Sequence, residues 1–410
     1  MISSLSSNKS LSILALFTAS WWVFGPKISI IAVPGYEQGI RLEDILFAVL
    51  FGILGFETLS RRGQFEILGG KQGFALISFM FASVLCSVLI YQSSIYALLF
   101  SVRWLEYLLM GSILFQVALL HRRRVLKLFK YYIVLNACIA PFSALSDERY
   151  AGLSAGPWEV STVIILCFIS VKPIFKSQKE LYFYALCVLL VILSAQARIQ
   201  LLAYLALLVF YKETRYKLVA IALPGIIYLL FSGALDGVLK MVRFDSIDLS
   251  SIGEVFHAIR ENGSDADFYT LTDSLPESDA STIARLLIWS SFIYKWLEFG
   301  GFAILFGIGP GVGGVVVDGL YIRLLTEFGL FGTLIFIIFI KKLMARVDPE
   351  YRIQLVLIIG IISLTNDPIT SQRIFSAICL SVGLLFASNG GRILNRNKQV
   401  EVFHAEVTRV

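Results

Sequence analysis

The chain has 410 residues, of which 57% are hydrophobic and only 16% are charged, and its mean hydropathy is +0.78. A soluble protein of this length needs more charge to cover its surface, so the composition excludes that class. The formal net charge is +6, but the basic residues lie in short runs between apolar segments. Such runs set the orientation of a membrane protein and do not form a nucleic-acid-binding face. We therefore expect the lipid bilayer as a partner, and no nucleic acid.

The five cysteines all lie inside apolar stretches, and the three histidines are far apart in sequence. Neither pattern suits a disulfide framework or a metal site built from neighbouring residues. We therefore predict no disulfide framework, no metal and no cofactor.

Twelve apolar runs are long enough, or nearly long enough, to cross a bilayer as helices. The first lacks a small-residue cleavage site, so we expect a retained helix rather than a removed signal peptide. The predicted fold is an all-α integral membrane protein of about twelve transmembrane helices with one large periplasmic loop. The runs lie at about 11–33, 43–59, 73–91, 95–119, 126–146, 158–171, 181–197, 199–211, 217–234, 319–340, 352–365 and 371–388.

The charge pattern fixes the expected orientation. If the N-terminus is cytoplasmic, about two thirds of the lysines and arginines fall in inner loops, and most acids fall in outer loops. Both termini are therefore expected in the cytoplasm. The predicted organisation is transmembrane helices 1–9 over residues 1–235, a periplasmic loop over 236–317, helices 10–12 over 318–390, and a cytoplasmic tail over 391–410.

The loop 236–317 is acidic and has the composition of a soluble segment. Its later part, 281–299, carries apolar residues at helical spacing, which predicts an amphipathic helix near the outer membrane interface. The glycine-rich stretch 307–314 predicts a turn into the tenth span.

Five ionisable residues lie at or near the predicted outer ends of helices: Arg149, Arg198, Arg285, Asp318 and Arg323. Ionisable groups at membrane depth are costly, so each is a functional candidate by default. Several arginines around one outward-facing cavity indicate an anion site, because guanidinium forks bind phosphate and diphosphate oxygens in pairs.

Each candidate also has a purely structural interpretation. Arg198 could anchor a helix at the interface, and Arg149 could be a solvated loop charge. Asp318 could be the N-cap of the tenth span. Arg323 and Glu327 are four residues apart and could only neutralise each other.

Arg285 needs a partner for its charge, and two other sites carry mainly structural interpretations. Arg285 stands near the start of its helix, where a cation faces the positive end of the dipole and needs a compensating partner. Arg103 and Glu106, three residues apart in the fourth span, are interpreted as a structural pair. His257 is interpreted as a surface histidine rather than a base.

Three separated segments resemble the family of O-antigen ligases and Wzy-type polymerases of bacterial polysaccharide assembly. Segment 149–157 (RYAGLSAGP) is similar to the family's Arg-x-x-Gly…Pro-Asn motif, with Trp158 where Asn is usual. Segment 194–198 (SAQAR) resembles the family's Ser-Arg turn, with an altered spacing. Segment 318–332 has Asp-Gly, nine residues and then Gly-Leu-Phe-Gly, similar to the ligases' His-[Asn/Ser/Gln]-x9-Gly-x-x-Gly. The resemblance covers roughly residues 140–390.

The resemblance favours a polymerase over a ligase, because Asp318 stands where the ligases carry the histidine that acts on the acceptor sugar. It implies a metal-independent glycosyltransferase that moves a glycan from undecaprenyl diphosphate to a second lipid-linked repeat unit. Arg198 and Arg285 are then expected on the diphosphate, with Arg149 or Arg323 assisting. Asp318 is the expected general base or acceptor-orienting group, and Glu327, also expected to bind the substrate, is the weaker candidate for that role.

The resemblance also implies a multi-pass protein of the bacterial inner membrane whose active site faces the periplasm and serves lipopolysaccharide or other polysaccharide biosynthesis. Its partners would be an undecaprenyl-diphosphate-linked oligosaccharide and, as a further candidate, a chain-length regulator protein. The alternatives are an O-antigen ligase that transfers to lipid A-core, a lipid-linked oligosaccharide flippase or other twelve-span transporter, and a scaffold without activity.

Overall fold

The computed structural model describes residues 5, 8–33, 36–60, 68–90, 96–144, 149–154, 156–209, 257, 280–309, 319–369 and 371–386. Within these ranges the chain is mostly helical, with thirteen α-helices and one two-stranded hairpin. Six of the described helices are long and apolar enough to cross a membrane. Together with the composition, they show a mostly helical membrane protein.

The elements are numbered in chain order. The helices are α1 Lys9–Phe24, α2 Leu42–Ser60, α3 Lys71–Ile90, α4 Tyr96–Leu120, α5 Arg122–Ala144, α6 Pro157–Val171, α7 Gln178–Ser194, α8 Arg198–Val209, α9 Ala280–Glu298, α10 Gly300–Phe306, α11 Leu320–Met344, α12 Pro349–Ile362 and α13 Gln372–Leu384. The strands are β1 Ser29–Val33 and β2 Tyr36–Arg41, and a 3-10 turn spans Lys172–Ile174.

A helix lies within every predicted span that falls in the described ranges. The helix predicted over 281–299 is α9. The ninth predicted span, 217–234, lies outside the described residues, as do most of the loop 236–317 and the whole tail 391–410. The count of twelve crossings therefore stays a prediction.

The first predicted span is wrong in its second half, which is where the fold departs from all-α. Helix α1 ends at Phe24, and the Gly25 N–H bonds back to the Trp21 carbonyl at 2.7 Å. Pro26 follows, and a proline disfavours helical geometry in the residue before it. The next residues form β1, which pairs with β2 in an antiparallel hairpin. Hydropathy continues through this turn, so an apolar window cannot separate the helix from a strand rich in β-branched residues.

Helices α6 and α13 form the centre of the bundle. All thirteen side chains of α6 from 159 to 171 are buried, and so is every residue of α13. Helix α13 packs against α6, α4 and α1. Its Gly383 lies so close to α4 that a Cβ there would be 2.8 Å from the Phe115 carbonyl oxygen. Small residues permit such close helix contacts inside a membrane, where no hydrophobic force draws helices together.

Contacts between helix ends fall into two groups that agree with the predicted alternation. One group joins ends that the charge pattern places inside: Ser12 with His121, Lys130 with Glu180, Lys172 with Glu350, and Val347 with Phe386. The other joins ends that it places outside: Lys27 with Glu159, Asp44 with Arg103, Tyr150 with Ser194, and Leu320 with Asn366.

Candidate functional site

Two of the predicted arginines meet at the turn between α7 and α8. The Tyr150 N–H donates to the Ser194 carbonyl at 3.0 Å, which docks the segment after α5 onto the end of α7. The neighbouring Arg149 then donates through Nη2 to the Gln196 carbonyl at 3.2 Å. Arg198 is the first residue of α8, two positions further on. Two of the segments that carry the family resemblance are therefore in direct contact.

The turn itself has a conformation that normally selects glycine. Gln196 has φ of +51°, and it is the one non-glycine residue with positive φ among the described residues. The Ala197 N–H bonds to the Ile192 carbonyl, and the Gln196 N–H bonds to the Leu193 carbonyl. This pair of bonds defines a Schellman cap with Gln196 at the left-handed position. The cap reverses the chain sharply and presents Arg198 beside Arg149.

Arg285 supplies a third positive charge from a distant part of the sequence. It lies in the second turn of α9 and is half-buried. Partial burial lowers the pKa of Arg149, and the positive charges of Arg198 and Arg285 lower it further. Arg198 and Arg285 are therefore each within electrostatic reach of Arg149. We call Arg149, Arg198 and Arg285 the arginine cluster.

The segment that carries Arg149 is anchored beneath the cluster. The buried Tyr150 hydroxyl donates to Asn136 Oδ1 at 2.6 Å, and the Asn136 side-chain amide donates to the Tyr132 carbonyl. Gly152 has φ of +58°, and a Cβ there would lie 3.2 Å from Asn136 Oδ1. The Arg-x-x-Gly spacing thus has a structural reason, because the glycine closes the turn over this hydrogen-bonded pair.

Arg323 is in a different environment from the arginine cluster. Its Nε donates to Glu327 at 2.9 Å, its Nη1 donates to Asp367 at 3.0 Å, and all three residues are at most 5% exposed. The guanidinium also lies over the Trp104 ring, with its carbon 6.0 Å from the ring centroid. The ion pair between Arg323 and Glu327 is present, and Asp367 joins it. We call these three residues the buried triad.

Helix α11 is broken just after the buried triad. Gly329 has φ of +65° and ψ of −170°, which interrupts the helix and frees carbonyl groups of the preceding turn. The Ile308 and Gly309 N–H groups bond to the Thr326 and Glu327 carbonyls, at 2.8 and 2.9 Å. The glycine-rich stretch therefore completes the backbone hydrogen bonding of a broken helix, as non-helical backbone at membrane depth requires.

Only glycine fits at the contact between the two segments. A Cβ on Gly307 would lie 2.2 Å from the Glu327 carbonyl oxygen, and a Cβ on Gly329 would lie 2.4 Å from the Gly307 nitrogen. Both residues also have positive φ. The predicted turn at 307–314 is thus seen in its first three residues as a packing partner of α11, and the remainder lies outside the described residues.

Asp318, the predicted base, lies outside the described residues. The residue that immediately precedes α11 is Gly319, at the N-cap position, and the capping interpretation of Asp318 stays a prediction. A Cβ on Gly319 would lie 3.2 Å from the Trp289 ring, so the start of α11 packs closely against α9, the helix that carries Arg285.

Glu327 is buried in the triad. His257 is exposed, as expected.

Sequence reasoning missed several charged partners. Asp367 lies in a predicted outer loop and was not singled out as the partner of Arg323. Arg103 does contact Glu106 at 3.5 Å, but its shorter contact, 2.5 Å, is with Asp44 of α2. Glu159 is fully buried at the start of α6 and pairs with Lys27. The sequence signal for these pairs is an acidic residue at the start of an apolar span. Such a residue indicates that a cationic partner exists but does not identify it.

No protein-family model matches this chain, and no curated protein matches its sequence. The fold and the site themselves define a mostly helical membrane protein that gathers arginines at one end of its helix bundle.

Proposed function

We propose that this protein is a polysaccharide polymerase of the O-antigen type. It transfers a glycan from undecaprenyl diphosphate to a lipid-linked repeat unit on the periplasmic side of the bacterial inner membrane. The observation that carries the proposal is the arginine cluster, which gathers Arg149, Arg198 and Arg285 from three separate parts of the chain. Two of the three lie in segments that resemble the O-antigen ligase and polymerase family.

The proposed reaction exchanges one carbon–oxygen bond for another. A hydroxyl oxygen of the acceptor's terminal sugar attacks the anomeric carbon of the donor. The bond from that carbon to the diphosphate oxygen breaks, and its electron pair leaves with undecaprenyl diphosphate. The hydroxyl proton passes to a base, which we assign to Asp318. The donor already carries its leaving group, so the reaction consumes no nucleotide.

The arginine cluster suits the leaving group in charge and in shape. Negative charge grows on the diphosphate as its bond to the sugar breaks, and fixed guanidinium groups stabilise it without reorganising. Guanidinium forks also bind two oxygens at once. The repulsion that Arg149 experiences from Arg198 and Arg285 is relieved when an anion binds among them.

Arg323 takes a positioning role in this proposal. Two buried carboxylates already neutralise its guanidinium group, so it would attract a diphosphate only weakly. The buried triad instead fixes the first turns of α11, which follow directly on Asp318. Glu327 belongs to the same role, since its side chain is bonded to Arg323.

The test is complementation of a strain that lacks this protein, read as the ladder of polysaccharide chain lengths on a gel. Arg198→Ala and Arg285→Ala are expected to abolish long chains, because loss of one such donor slows a reaction by about a hundredfold or more. Arg123→Ala is the matched control, since Arg123 is an exposed arginine at the other end of the bundle. All variants must be present in the membrane at wild-type level.

The same gel separates the alternatives. In the absence of the protein, loss of the ladder with one repeat unit retained supports a polymerase. Loss of all attached glycan indicates a ligase, and accumulation of lipid-linked units inside the cell indicates a flippase. Normal chain lengths in both arginine variants would refute the arginine cluster as the diphosphate site.

A further inference from the structure

Helix α5 has one long apolar face that is exposed. Tyr131, Leu135, Ile139 and Phe142 are between 47% and 69% exposed. They follow one another at intervals of four, four and three residues, which places them on one side of the helix. Helix α5 is one of the six that are apolar and long enough to cross a membrane, so in a bilayer this side meets lipid chains. We call these four residues the lipid-facing stripe.

The lipid-facing stripe leads into two cations at the end of α5 that the charge pattern places inside. Arg124 stands seven residues before Tyr131, and Lys127 stands four residues before it, so both lie on the same side of the helix as the stripe. Both are exposed, and neither has an ion pair among the residues that the structure describes. Helix α5 itself contains no acidic residue. Two cations without a neutralising carboxylate thus stand at the end of an apolar surface.

The other cations in the first part of α5 are arranged differently. Lys130 is paired with Glu180 of α7. Arg122 and Arg123 are exposed, but they lie off the stripe. The residue four after Arg122 and three after Arg123 is Leu126, which is only 6% exposed, so this side of the helix turns towards the bundle. Arg124 and Lys127 are therefore the two cations of α5 that combine a free charge with the lipid-facing side, among the residues that the structure describes.

We infer that this surface binds one anionic phospholipid of the leaflet on the predicted cytoplasmic side. The headgroup phosphate lies against Arg124 and Lys127, and one acyl chain lies along the lipid-facing stripe. A guanidinium fork binds two phosphate oxygens at once, and an ammonium group adds a second charge-assisted hydrogen bond. Clusters of cations just inside a membrane helix attract anionic headgroups in this way.

The length of the lipid-facing stripe suits one acyl chain. At a rise of about 1.5 Å per residue, Tyr131 and Phe142 are about 16 Å apart along the helix axis. One leaflet contributes about half of the roughly 30 Å hydrocarbon core. The stripe therefore extends over the depth of one leaflet, directly beyond the two cations. This inference is independent of the proposed function, because it requires neither a glycan nor turnover.

The test is lipid titration of the full-length protein in detergent, measured by native mass spectrometry. The probes are phosphatidylglycerol and phosphatidylcholine, which share a phosphate and two chains but differ in net charge. We expect the wild type to bind phosphatidylglycerol more tightly. The double variant Arg124→Gln/Lys127→Gln should bind it about twenty-five-fold more weakly, at about fivefold for each cation. Each single variant should show the fivefold loss, so the test holds even if the double variant is unstable.

Arg122→Gln/Arg123→Gln is the matched control, since it removes two charges from the same part of α5 but off the stripe. Its loss of affinity should be less than about twofold, because salt screens charges that do not contact the headgroup. Glycerol 3-phosphate, which has no acyl chain, should not displace the lipid. The inference is overturned if the wild type binds both lipids equally, if the two double variants lose affinity alike, or if glycerol 3-phosphate displaces phosphatidylglycerol. None of these results depends on polymerisation, so the proposed function can fail while this site stands, and the reverse.

Discussion

At the scale of single residues, arginine has two different roles in this protein. The groups around each arginine determine its role. Arg149 is only partly buried and lies near two other cations, whereas Arg323 is 2% exposed and lies between two carboxylates. Removing an arginine that is paired with buried carboxylates costs stability, whereas an arginine held near like charges favours an anion.

Arg149→Lys tests the importance of the guanidinium fork. The substitution keeps the charge but gives up bidentate binding, so pyrophosphate should bind about tenfold more weakly. The measurement is the thermal stabilisation of the purified protein by inorganic pyrophosphate at fixed ionic strength. Arg149→Ala should bind pyrophosphate more weakly still. If Arg149→Lys binds pyrophosphate as tightly as the wild type, Arg149 contributes only its charge.

Arg323→Met should act on stability. Removing the cation leaves Glu327 and Asp367 buried without it, and breaking a buried pair costs about 3–5 kcal/mol. Glu327→Gln should cost less, because Arg323 keeps its contact with Asp367 at 3.0 Å. Denaturation of the purified variants measures both changes. An Arg323→Met protein with full stability and no activity would instead indicate that Arg323 contacts the substrate.

At the scale of elements, the site depends on two interruptions of regular helix. One is the Schellman cap that ends α7, and the other is the break in α11 at Gly329. Both occur in segments that resemble the O-antigen ligase and polymerase family. The cap aims Arg198 towards Arg149, and the break joins α11 to the segment that follows α10.

Gly329→Ala should destabilise the protein strongly. With φ of +65° and ψ of −170°, Gly329 lies in a region that is essentially restricted to glycine, where a residue with a Cβ costs about 1–3 kcal/mol, and the new methyl group would collide with the Gly307 backbone. Gly55→Ala is the control, because a Cβ at that helical glycine meets nothing within 4 Å. The melting temperatures of the two variants in detergent make the comparison. Equal stability would contradict the described break in α11.

Gln196→Gly should have the opposite effect. Glycine adopts the left-handed cap position without strain, so stability should rise by about 1 kcal/mol. Arg149 bonds to the backbone carbonyl of residue 196, which the substitution retains. Chain elongation should therefore be unchanged. A loss of elongation with normal stability would mean that the Gln196 side chain itself takes part in the reaction.

At the scale of the whole molecule, hydropathy and charge predict the helices well, because membrane helices need long apolar runs and basic loops on one side. They could not place the β-hairpin, since a strand after Pro26 is as apolar as the helix before it. They also could not pair residues distant in sequence, such as Lys27 with Glu159 or Arg323 with Asp367. Such pairs depend on how the helices pack, and the local composition of a segment carries no information about that packing.

The prediction of the arginine site came from a different signal. Arg149, Arg198 and Arg285 are each a cation at a predicted outer helix end, and the structure places Arg198 and Arg285 within electrostatic reach of Arg149. The fourth arginine, Arg323, met the same criterion yet lies in a buried ion pair. Sequence position shows which end of a helix a charge occupies, whereas the neighbouring helices determine which groups it meets.

We propose that this protein joins lipid-linked repeat units at the arginine cluster. The most direct measurement is elongation of purified undecaprenyl-diphosphate repeat units by the purified protein in the presence of a metal chelator. We predict a ladder of longer lipid-linked glycans with release of undecaprenyl diphosphate, and no ladder with Arg198→Ala. A wild-type protein that forms no ladder, or an Arg198→Ala protein that forms the same one, would contradict the account.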